Sequence, residues 1–136
     1  TPLFAASCYG KDDIVKQLID AGADVDKSEN DGSTPLLFAA GLGNDKMVEQ
    51  LIAAKADVDQ PMNDGTTPLY IAAHKGHENI VEKLLAAGAD IEQALQIAKN
   101  KKDKIGIKIL SEIKNAHSVS QSKNFGSSQL IIRSIS

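Results

Sequence analysis

A thiol paired with an imidazole is the simplest nucleophile and base, so cysteine and histidine come first. The chain has one cysteine, Cys8, and three histidines, His74, His77 and His117. Paired acids come next. Asp24 with Asp26, and Asp57 with Asp59, begin like a calcium loop. Such a loop needs Gly at its sixth position and Glu at its twelfth. Those positions hold Glu29 and Pro35, then Met62 and Pro68, so the match fails. Gly10-Lys11-Asp12 lacks the upstream glycine and the hydroxyl of a phosphate loop. One cysteine and scattered histidines do not supply a metal-ligand set. No metal or cofactor is expected.

The placement of these side chains follows from an internal repeat. Thr-Pro-Leu occurs at Thr1, Thr34 and Thr67, 33 residues apart each time. Ala6, Ala39 and Ala72 keep the register, as do Gly10, Gly43 and Gly76, Val15, Val48 and Val81, and Leu18, Leu51 and Leu84. Ala23-Asp24, Ala56-Asp57 and Ala89-Asp90 close each unit. Within a unit, Thr34 suits an N-cap and Pro35 the first helical position, where no backbone donor is lost. A short helix over Leu36–Ala40 ends at Gly43. A second helix starts near Asp45, whose charge meets the positive end of the dipole. Met47, Val48, Leu51 and Ile52 form one buried stripe. Asp57 to Thr66 reads as a turn-rich extended arm with Asn63-Asp64-Gly65 at its tip. Helices this short are marginal alone and need a neighbouring unit to stack on.

These residues resemble the ankyrin repeat. Asp64-Gly65-Thr66-Thr67-Pro68-Leu69, Ala72-Ala73-His74-Lys75-Gly76-His77 and Ala87-Gly88-Ala89-Asp90-Ile91 follow its pattern closely, and the resemblance covers residues 1–93. It implies an all-α solenoid of stacked helix-turn-helix pairs with β-hairpin-like arms. Three departures stand out. Phe4, Leu37 and Tyr70 replace the family's histidine, whose ties between repeats must be lost or taken over by apolar contact. Lys55 replaces a capping glycine, which implies a strained, looser helix end. Asp26, Asp59 and Glu92 stand where the family usually has Asn.

The repeat also separates the candidate dyad. Cys8 and His74 occupy one position two units apart. Helix layers about 8–10 Å thick put them roughly 16–20 Å apart, against the ~3 Å that catalysis needs. His77 aligns with Lys11 and Asn44, at the start of a second helix, where capping or solvation is expected. No enzymatic activity is expected.

Composition agrees with a single domain. A lone cysteine excludes an internal disulfide framework and fits a reducing compartment, cytoplasmic or nuclear. No apolar run approaches the roughly 18 residues of a membrane helix. The net charge of −3 hides an asymmetry. Residues 1–93 hold 7 Lys and 16 acids, whereas residues 94–136 hold 8 Lys or Arg and 2 acids. The acidic body argues against a nucleic-acid surface.

Ala94-Leu95-Gln96-Ile97-Ala98 arrives seven residues early in the register, so a degenerate fourth unit follows with most of its arm deleted. Its second helix is expected over about Lys104 to Lys114. Lys99, Lys101, Lys102, Lys104, Lys108 and Lys114 make it basic, which suits a solubilising cap; the rival reading is a site for phosphate or an acidic partner. The domain is expected over 1–116, in units 1–33, 34–66, 67–93 and 94–116. Residues 117–136, with seven serines, read as a flexible tail that Leu130-Ile131-Ile132 interrupts. Unit one opens inside its first helix with no arm before it, and further repeats upstream are expected.

What remains for function is surface. The resemblance implies that arm tips and the exposed side of the first helices contact a protein partner, on a monomer. Carried over, these are Asn30, Asp31 and Ser33, Asn63, Asp64 and Thr66 on the arms, and Cys8-Tyr9, Gly41-Leu42 and His74-Lys75 on the helices. Tyr9 and Leu42 stand out as apolar anchors. The acidic arms would steer a basic patch. The competing expectations are a targeting appendage or a structural spacer within a larger protein.

Overall fold

The computed structural model describes the backbone of residues 1–126 and the side chains of residues 1–116. Its helices come in pairs. They are α1 (Pro2–Cys8) with α2 (Asp12–Asp20), α3 (Pro35–Leu42) with α4 (Asp45–Ala53), α5 (Pro68–Lys75) with α6 (Glu78–Ala86), and α7 (Ile91–Asn100) with α8 (Lys104–Gly126). The first helices of successive units stack on one another, α1 on α3, α3 on α5 and α5 on α7, and α2, α4 and α6 stack likewise.

Each first helix begins as its residues dictate. The hydroxyls of Thr1, Thr34 and Thr67 accept from the backbone N–H of Phe4, Leu37 and Tyr70 at 3.0, 3.2 and 3.1 Å. Gly43 and Gly76 end α3 and α5 in the left-handed region. Among the described residues two that are not glycine adopt it too, Lys55 at φ 70° and Lys102 at φ 56°. Lys102 takes the position of Gly76 once the seven-residue deletion is counted.

The core runs through all units. Leu36, Leu69, Met47, Val48, Leu51, Ile80, Val81, Leu84 and Leu110 are fully buried, each burial favouring the fold by about 1.5–3 kcal/mol. Ala39, Ala40, Ala72 and Ala73 have no exposed surface, and their small size lets the first helices approach closely. Ile14 is 47% exposed while its counterparts Met47 and Ile80 are fully buried.

The arms differ from the hairpin-like expectation: no strand forms among the described residues. Each arm is a tight turn, closed by Glu29 N–H to Ser33 O at 2.9 Å and by Met62 N–H to Thr66 O at 2.8 Å. One backbone bond joins the two arms, Asn63 N–H to Asp31 O at 2.9 Å, too little for a ladder. Side chains do the rest. Asp26 Oδ1 accepts from Asp57 N–H, and Asp59 Oδ1 from Asp90 N–H, both at 2.8 Å. The two aspartates standing in place of Asn thus link the first unit to the second and the second to the third.

The last helix pair starts before the boundary expected at Ala94: α7 begins at Ile91, within the segment read as the end of the third unit. Asp90 caps α7 by accepting from Glu92 and Gln93 N–H. Helix α8 begins at Lys104 but continues through Gly126, beyond Lys114 and into the segment read as a tail. Leu130-Ile131-Ile132 lies outside the described residues.

Candidate functional site

Of the twelve residues carried over from the repeat pattern, eight are exposed: Tyr9, Asn30, Asp31, Leu42, Asn63, Asp64, His74 and Lys75; Cys8 and Gly41 are half-buried. Ser33 and Thr66 are corrections. They are 3% and 5% exposed, because each sits where the arm turns inward just before its capping threonine. Their backbone N–H groups donate to Asp31 Oδ1 and Asp64 Oδ1 at 2.9 Å. They shape the arm tips through their backbone, and their side chains are buried.

Tyr9, 78% exposed, and Leu42, 50% exposed, face one open depression with Cys8, Gly10, Gly43, Asn44 and Asp45. Leu42 also borders an apolar cleft between α3 and α5. That cleft, about 240 Å³, is lined by Leu37, Phe38, Gly41, Leu42, Ile71 and Lys75. The repeat pattern pointed to Gly41, Leu42 and Lys75 but not to Leu37, Phe38 or Ile71. The signal was Gly41, which stands where the neighbouring units carry Cys8 and His74.

The arm tips are partly committed already. Asn63 Nδ2 donates to Asn30 O at 2.8 Å. Lys101 Nζ lies 2.9 Å from Asp64 Oδ2, and that bond, with Thr66 N–H, holds the Asp64 carboxyl down at about 2. Asp31 makes no ion pair among the described residues, and the Ser33 backbone bond holds its carboxyl below the usual range.

A polar node joins the third unit to the terminal one. The Tyr70 hydroxyl donates to Asp103 Oδ2 at 2.7 Å, and His74 Nδ1 lies 2.6 Å from the same oxygen. Asp103 Oδ1 accepts from Gly106 N–H at 3.1 Å. Burial opposes the Asp103 charge, but the bonds from Tyr70, Gly106 and His74 outweigh it and lower its pKa. Burial and the bond to Asp103 push the Tyr70 hydroxyl up to about 12. One replacement of the family's histidine therefore keeps a polar tie. Between the first two units the contact is apolar instead, Phe4 against Phe38, edge to face with centroids 5.2 Å apart.

Chemistry has little to work with. Burial raises the Cys8 pKa, which lowers its thiolate fraction. His77, at the start of α6, makes no side-chain cap; its Nε2 lies 3.3 Å from Gly41 O. Among the described residues no three His, Cys, Asp or Glu side chains converge as a metal site, and no helix is long and apolar enough to cross a membrane.

The stacked helix pairs define a helical-repeat solenoid. Residues 3–94 match the family model for ankyrin repeats in three copies. The chain belongs to the ankyrin-repeat family, whose fold generally mediates protein–protein interaction and whose domains are non-catalytic scaffolds. The search of curated proteins returned no match.

Proposed function

We propose that the protein binds a protein partner through the exposed side of its first helices and its arm tips. The observation that carries this reading is the pair Tyr9 and Leu42, two large apolar side chains exposed side by side. Exposed apolar clusters of this kind mark interaction sites, and aromatic anchors dominate binding energy. Asp31 would steer a basic group of the partner toward the arms, since Asp64 is occupied by Lys101.

The test is affinity capture from lysate of the source organism, comparing the chain with a Tyr9→Ala, Leu42→Ala, Asp31→Lys variant of equal helicity. A protein held by the first and lost by the second supports the reading. Equal retention by both places the contact elsewhere on the molecule.

A further inference from the structure

Gly41 has no local reason to be glycine. It sits inside α3, where glycine costs about 0.5–1 kcal/mol relative to alanine. Its φ is not positive, and a Cβ there would stand 3.6 Å from Ile71 Cγ1, an ordinary contact. What the missing side chain does is leave open the cleft between α3 and α5. Its walls are apolar side chains, Leu37, Phe38, Leu42 and Ile71, with Lys75 completing the lining. Its volume of about 240 Å³ falls below the ~300–1,000 Å³ of small-molecule sites. The space suits one side chain. Lys75, exposed beside it, is among the described lysines that make no ion pair; Lys16, Lys83, Lys101 and Lys114 are the ones that do.

We infer that this cleft receives one large apolar side chain from an extended segment of the partner, with an Asp or Glu close by in that segment pairing with Lys75. The inference rests on the proposed binding face and names the chemistry it selects. The apolar side chain supplies the buried contact, as anchors in small pockets do. The carboxylate supplies orientation, because a rim charge favours its opposite and disfavours its like. A basic residue at that position would meet Lys75 with repulsion.

A random 12-residue peptide library displayed on phage, selected on the full chain, tests this. Enriched peptides are expected to place Leu, Ile, Met or Phe within three residues of Asp or Glu. Gly41→Leu, which fills the cleft from its own floor, is expected to weaken a synthetic enriched peptide at least tenfold in fluorescence anisotropy. Gly41→Ala, which leaves most of the space, is the folding control. Lys75→Glu is expected to shift selection toward Lys and Arg. Undiminished binding by Gly41→Leu, enriched peptides without acids, or no enrichment would each overturn the assignment. The two readings fail separately. A captured protein lost by Tyr9→Ala with Asp31→Lys but kept by Gly41→Leu leaves the binding face standing and removes the cleft. A protein kept by both variants removes both.

Discussion

The Tyr70 hydroxyl donates to Asp103 Oδ2 at 2.7 Å, while Asp103 Oδ1 accepts from Gly106 N–H at the start of α8. One carboxylate therefore caps a helix and ties the third unit to the terminal one. A hydrogen bond to a charged group contributes about 1.5–3 kcal/mol. Tyr70→Phe should lower stability by about that amount in urea unfolding. Asp103→Ala should cost more, since the cap adds about 1 kcal/mol. A double-mutant cycle should give a coupling above about 0.5 kcal/mol. Additive losses would mean that the two side chains do not interact.

Stability should fall with acid in a defined window. The Asp64 carboxyl is held at about 2 by Lys101 and Thr66, against about 3.9 in an unfolded chain. A depressed carboxyl stabilises above its unfolded pKa and loses that contribution as pH falls through the folded one. The window is therefore about pH 4 down to pH 2. The pair is half exposed, so salt should shrink the effect. Urea midpoints between pH 5 and pH 2 should fall less steeply in Lys101→Met than in the parent chain.

Lys55 and Lys102 hold left-handed backbone at positions where other units have Gly22, Gly88, Gly43 and Gly76. Strain of about 1–2 kcal/mol is relieved by glycine, less the entropy glycine adds to the unfolded chain. Lys55→Gly and Lys102→Gly should each raise stability by up to about 1 kcal/mol in chemical denaturation. A loss in either variant would show that the lysine side chain supplies a contact outweighing the strain.

Two glycines with similar backbone angles should respond differently to alanine. Gly22 and Gly32 have φ of 91° and 88°. A Cβ on Gly22 meets nothing within 4 Å, whereas one on Gly32 would stand 2.7 Å from Asn63 N and 2.8 Å from Met62 Cα. Both changes carry the left-handed penalty, but Gly32→Ala must also push the second arm away. Its melting temperature should drop clearly further than that of Gly22→Ala. Equal drops would mean that the arms are not in contact.

Much of the fold was legible in the residues. Thr34, Pro35 and Gly43 announce a helix and its two ends through local chemistry, and the 33-residue register repeats that chemistry until stacking is the only way to bury Val48 and Leu51. These features depend on neighbours within a few positions, or on periodicity, and both are written along the chain. Packing between units is not. Asp103 reads as one more residue at a helix start until the fold brings Tyr70 and His74 to it. Ser33 and Thr66 read as arm tips, yet the turn carries them inward, and the arms close on side chains instead of a strand ladder. The cleft exists because Gly41 faces Ile71 one unit away. The sequence by itself determined the units, their caps and their core stripe, since those follow from local conformation and hydrophobic period. The tertiary structure alone decided which side chains meet between units, because that depends on how far each helix pair is rotated and shifted against the next.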